Sequence, residues 1–177
     1  VNCPFGAISD KSQIFQLIQA IKRGDKVVAA VAPAFVSQFG ENVTSSQMRE
    51  AMRQVGFHKV IEVAVGADMC TAEEAEDFLK KVPEQQPFMA TSCCPSWSVM
   101  AKKLFPQFKD YISMAMTPMV LTARLYKKDH PDVRIVFIGP CTAKKLEASR
   151  RTIRSDVDFV LTFEEMQGIF DAKGTVP

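Results

Sequence analysis

Apolar and polar positions along the chain follow two rhythms. One is the i, i+3, i+4, i+7 spacing of an amphipathic helix. The other is the short, unbroken apolar run of a buried strand. Ile14, Leu17, Ile18 and Ile21 keep the helical spacing. Asp10 and Gln13 ahead of them form a capping-box-like start, and Lys22, Arg23 and Gly24 suit the end. Lys26 to Val31 then reads as a buried strand. Thr44 and Gln47 open a second helix, with Met48, Met52 and Val55 on one face. Val60 to Val65 is the next strand. Thr71 and Glu74 make a further capping box before Ala75, Phe78, Leu79 and Val82. Phe88 to Thr91 is a short strand, and Trp97, Met100, Ala101 and Leu104 mark a helix. Thr117 to Lys128 is helical, with Pro118 in its first turn. Arg134 to Ile138 and Val157 to Thr162 are strands, each followed by a helix, over Thr142 to Arg151 and Phe163 to Phe170. This succession predicts an α/β fold with mainly parallel sheets flanked by helices.

Composition adds exclusions. The 177 residues are 47% apolar and 24% charged, a globular balance sufficient for a substantial core. A formal charge of +2, with Lys and Arg scattered among acids, does not suit a nucleic-acid partner. The longest apolar run, Val27 to Val36, is about half the ~20 residues a membrane-spanning helix needs. No signal-peptide pattern is visible, and five cysteines make a poor disulfide framework, so a reducing cytoplasm is expected. The chain opens on Val1 rather than Met and reads as a processed or excised segment.

Candidate chemistry falls in two strand-to-helix junctions. The first is Thr91-Ser92-Cys93-Cys94-Pro95-Ser96-Trp97 and the second is Gly139-Pro140-Cys141-Thr142-Ala143-Lys144-Lys145-Leu146-Glu147. In a parallel sheet such junctions lie at the carboxyl ends of strands, where ligands bind. A helix start also favours thiolate. Neighbours on an extended backbone point opposite ways, so Cys93 and Cys94 should serve different tasks. Lys144 and Lys145 could stabilise an anionic cofactor. Cys70 reads as a small buried hydrophobe. A zinc site would need four Cys or His ligands, often from a Cys-x-x-Cys knuckle, and none occurs.

The first junction resembles the first cysteine signature of iron-only ([FeFe]) hydrogenases, and Pro140 to Glu147 resembles the second. Lesser resemblances run through Ala32-Pro33-Ala34, Gly66-Ala67-Asp68-Met69 and Ser113 to Pro118. Cys3 to Ile8 looks like the end of a ferredoxin cluster motif. The resemblance implies that residues 1–8 are the tail of an upstream ferredoxin-like [4Fe–4S] domain. Residues 9–177 would be the N-terminal portion of the domain that holds the H-cluster, a [4Fe–4S] cubane bridged to a two-iron unit with CO, cyanide and a dithiolate. It further implies that Cys94 and Cys141 are cubane ligands, Cys3 is a ligand of the upstream cluster, and Cys93 is a proton-passing thiol. Lys144 would hydrogen-bond a cyanide, and Ala32 and Pro33 would line the two-iron pocket. Glu74, Ser113 and Asp77 would carry protons outward, with Asp77 standing where Glu is more usual. Glu147 reads as a structural partner.

The chain departs from the pattern in three places. The third signature, with two further cysteines, does not occur before Pro177, so this piece is expected to be inactive alone. Gly139 stands where the best-known catalytic members have Met, and Met119 where they have a polar residue. The function implied is reversible H₂ oxidation in the intact protein, with ferredoxin or a similar electron carrier as partner and hydrogenase maturation proteins supplying the cofactor. A non-catalytic H₂ or redox sensor and an iron–sulfur assembly relative are the alternatives. Loss of the Cys93 thiol would mark the sensor, and the paired cysteines with Lys144 disfavour the assembly role.

Overall fold

The computed structural model describes residues 4, 5, 7, 9–150, 153 and 155–177. Among them, helix α1 (Ile14–Lys22) leads into β1 (Val27–Val31), and α2 (Ser45–Val55) leads into β2 (Lys59–Glu62). Three helices follow: α3 (Val63–Lys81), α4 (Pro95–Leu104) and α5 (Pro118–Asp129). Strand β3 (Arg134–Gly139), α6 (Ala143–Ser149), β4 (Phe159–Thr162) and α7 (Phe163–Lys173) complete the described chain. The four strands form one parallel sheet in the order β2-β1-β3-β4.

The apolar runs explain this order. Every residue of β1 and all but the first of β3 are buried, as central strands covered on both faces require. Helices α2 and α7 pack together, and α7 also lies on β3 and β4. Helix α3 pairs with α5, which lies on β1. The α3–α5 contact is close because Gly66 has no side chain: a Cβ there would stand 2.1 Å from Thr122 Oγ1. The Gly66-Ala67-Asp68-Met69 stretch is therefore part of a helix crossing.

Four local expectations differ from the structure. The strand expected over Val60 to Val65 ends at Glu62, and α3 starts at Val63 and runs unbroken through Thr71 and Glu74. Nothing between Val63 and Lys81 breaks a helix, so the capping pattern at Thr71 is overrun. Its hydroxyl instead donates to Ala67 O at 2.9 Å, the usual outlet for a mid-helix threonine. Gln13 stands at the start of α1 but makes no side-chain cap; its Oε1 accepts from Val160 N at 2.7 Å. Phe88 to Thr91 forms only a single parallel bridge, between Ala90 and Ile112. The expected cap at Thr44 holds, as a reciprocal capping box with Gln47, and the structure adds a cap of α5 by Thr117.

Candidate active site at the carboxyl edge of the sheet

Strands β1 and β3 are neighbours and run parallel, so their exits stand side by side. Ala32 and Pro33 follow β1, while Pro140 and Cys141 follow β3. Ala32 N donates to Ile138 O at 2.9 Å and ties the two exits together. Ala32 is buried, and Pro33, Cys141, Cys93 and Cys94 are exposed.

Cys94 is the residue before the first turn of α4, in extended conformation, and Pro95 opens the helix. Its carbonyl accepts from Ser98 N at 3.0 Å. Trp97 folds back to donate from Nε1 to Thr91 O at 3.0 Å, which closes the cysteine loop on itself. The loop is fastened to the second junction through Lys144. Its Nζ donates to Cys93 O at 2.7 Å and to Glu147 Oε2 at 2.6 Å. Glu147 is 2% exposed, and its other oxygen accepts from Thr117 Oγ1 at 2.6 Å. The structural role read for Glu147 in the sequence is what its contacts show. A cavity of about 420 Å³ adjoins this cluster, bordered by Ser92, Ser98, Ser113, Thr117 and Glu147.

The two lysines of the second junction do different work. Lys145 is held between Asp10 and Glu165, the latter at 2.9 Å. Burial alone would lower its pKa, but these two carboxylates raise it on balance. Lys145 is thus a structural cation between the N-terminal segment and α7, and only Lys144 faces the cysteines.

The acidic residues lie on α3. Glu74 is partly buried, and Asp77 pairs with Lys81 at 2.6 Å. Ser113 is buried, and its hydroxyl accepts from Ala115 N at 3.2 Å. A small cavity lined by Asp77, Met114 and Ala115 brings the α3 acids to the segment that follows Ser113. Cys70 joins the same places. Its thiol is buried and donates to Met116 O at 3.0 Å. Burial pushes this thiol up, and the charges of Glu73, Glu74 and Cys93 add to the effect. Cys70 thus ties α3 to the segment after Ser113 through a buried thiol bond. Among the described residues, no hydrogen bond joins Cys93 to Glu74 or Ser113.

The donor set suits an iron–sulfur group in kind. Cys94, before α4, and Cys141, after β3, are exposed free cysteines, and cubane clusters take four such thiolates. Among the described residues no three His, Cys, Asp or Glu side chains converge as a metal ion would require. Cys3 lies outside the described residues. Gly139 differs from a residue with a side chain in a specific way: a Cβ there would lie 2.3 Å from Cε1 of Phe137, whose buried ring fills that space.

Comparison with known proteins decides the family. Residues 25–177 match the iron only hydrogenase large subunit, C-terminal domain. The chain belongs to that family. Iron hydrogenase 1 of Clostridium pasteurianum is 33% identical, over 96% of this chain and 33% of its own length. Cytosolic iron-sulfur assembly component 3 of Rattus norvegicus is 28% identical, over 82% of this chain and 34% of its own length. The solved structure of an apo [FeFe]-hydrogenase from Chlamydomonas reinhardtii superimposes with a TM-score of 0.79 at 28% identity, covering 90% of this chain and 48% of that one. The chain thus spans about a third of these relatives and about half of the solved structure. In this member of the hydrogenase family the Cys141 junction follows β3 of the parallel sheet, and the Cys93-Cys94 loop precedes α4. Among the described residues, no helix is long and apolar enough to cross a membrane.

Proposed function

We propose that this chain is part of the catalytic domain of a cytoplasmic hydrogenase that interconverts H₂ with two protons and two electrons. The single observation behind the reading is the bond from Lys144 to the Cys93 carbonyl, which joins the two cysteine junctions in one site. In this reading residues 1–8 end an upstream cluster domain to which Cys3 supplies a ligand, and residues 9–177 begin the H-cluster domain. Cys94 and Cys141 are two of the cubane's ligands. Bound there, the H-cluster would supply the electron exchange and the metal centre at which H₂ is split or formed.

The protein's own residues hold that chemistry and move protons. Ala32 and Pro33 wall the pocket at the exit of β1. Lys144 spends two of its three donors on Cys93 O and Glu147, leaving one for an anionic acceptor such as a cyanide. Cys93 carries a proton between the pocket and the outside, with Glu74, Ser113 and Asp77 continuing the route. Ferredoxin or a similar carrier exchanges the electrons, and hydrogenase maturation proteins install the cofactor.

The assembly reading is the second, favoured by the likeness to the rat assembly component. A sensory relative would be marked by a missing proton thiol, and Cys93 is present and exposed. Changing Cys94 or Cys141 to Ser in the full-length protein tests the ligand assignment. The expected outcome is loss of about one cubane's worth of iron and sulfide, since each position supplies one of four thiolates. Unchanged iron and sulfide in both variants would contradict it.

A further inference from the structure

We propose that Thr117 is a positioning residue for the cysteine site, acting through Glu147 and Lys144 on the Cys93 carbonyl. The proposal rests on the reading of Lys144 as a donor within the site. The chain of contacts is short and continuous. Thr117 Oγ1 donates to Glu147 Oε1 at 2.6 Å, Lys144 Nζ donates to Glu147 Oε2 at 2.6 Å, and the same Nζ donates to Cys93 O at 2.7 Å. It links the start of α5, helix α6 and the loop before α4, three pieces far apart in sequence.

Each link has little freedom. Glu147 is buried at 2% exposure, and a buried carboxylate needs donors on both oxygens. Thr117 serves one oxygen and Lys144 the other. Fixing the first oxygen fixes the plane of the carboxylate, and with it the direction from which the ammonium approaches the second. The Thr117 hydroxyl also accepts from Val120 N at 3.5 Å, a long contact for a helix cap. The shorter and charge-assisted bond is the one to Glu147. A valine would match the shape of Thr117 and make neither bond. A serine would make both.

Amide hydrogen exchange in the full-length protein without its clusters separates positioning from capping. In Thr117→Val, exchange in the peptide covering residues 91–98 should rise roughly three- to tenfold, the effect of losing one hydrogen bond that orders the loop. Thr117→Ser should restore the wild-type rate. Lys144→Met should raise exchange in 91–98 on its own, and Thr117→Val should then add nothing further there. A role limited to capping would speed exchange at residues 118–122 and leave 91–98 unchanged, which would overturn the proposal. So would an effect in 91–98 that persists undiminished in the Lys144→Met background. Should Thr117→Val not fold, Thr117→Ala removes the hydroxyl without adding a methyl group or a charge beside Glu147. It should speed 91–98, and a wild-type rate at 91–98 would again overturn the proposal. Because exchange is read without clusters, its failure would leave the ligand assignment of Cys94 and Cys141 to stand or fall on iron content.

Discussion

Cys93→Ala in a full-length, cluster-loaded protein is expected to lower H₂ turnover by about 10²–10⁴-fold, the span of a lost positioned proton donor, while iron and sulfide content stay unchanged. The substitution is clean for a structural reason. Lys144 holds residue 93 by its backbone carbonyl, so alanine keeps the bond that places the loop and loses only the thiol. Trp97 likewise fastens the loop through the carbonyl of Thr91. The neighbouring Cys94, the proposed ligand, keeps its place before Pro95 at the start of α4. Turnover assayed in both directions, alongside metal analysis, checks the outcome. Wild-type activity in the variant would remove Cys93 from the proton route.

Glu147→Ala should cost about 3–5 kcal/mol of stability, the range for removing one partner of a buried ion pair. The side chain of Glu147 is 2% exposed and that of Lys144 14%, so water does little to replace the missing charge. The loss has two parts. The Lys144 ammonium keeps Cys93 O but loses its counterion, and the Thr117 hydroxyl loses its acceptor. Glu147→Gln should cost less, since the amide still offers an acceptor oxygen. Denaturant midpoints at constant slope measure both. A loss below about 1 kcal/mol for the alanine variant would mean that the pair behaves like a surface salt bridge.

The sheet was legible in the sequence because its central strands are unbroken apolar runs. Val27 to Val31 and Ile135 to Ile138 could be little else in a chain whose remaining apolar residues keep helical spacing. Caps were legible where the partner is local, as at Thr44 with Gln47. They misled where a longer-range demand takes the side chain. Asp10 goes to Lys145 and Gln13 to the backbone of β4, and Thr71 is swept into a helix that has no reason to stop. Phe88 to Thr91 has strand-like residues but only one bridging partner, Ile112.

The candidate site divides the same way. That Cys141 lies at a strand-to-helix junction follows from the order of elements, and the parallel sheet sets the exits of β1 and β3 side by side, whereas Cys93 and Cys94 follow no strand of that sheet and reach Cys141's junction through the bond from Lys144. Which of Lys144 and Lys145 faces the cysteines does not follow from the order of elements, since they are adjacent on α6; the motif resemblance alone singles out Lys144, and tertiary packing sets Lys145 between Asp10 and Glu165. The link from Thr117 to Glu147 spans thirty positions and two helices, and no local pattern encodes it. Thr117 reads in sequence only as the residue before Pro118 at a helix start.

The most direct test of the account is an infrared spectrum of the full-length protein after anaerobic maturation. Bands from metal-bound CO and cyanide are the expected result, since the account assigns this cysteine site to the H-cluster. Their absence, in a preparation whose maturation control shows them, would contradict it and leave a protein with ordinary iron–sulfur clusters and no hydrogen chemistry.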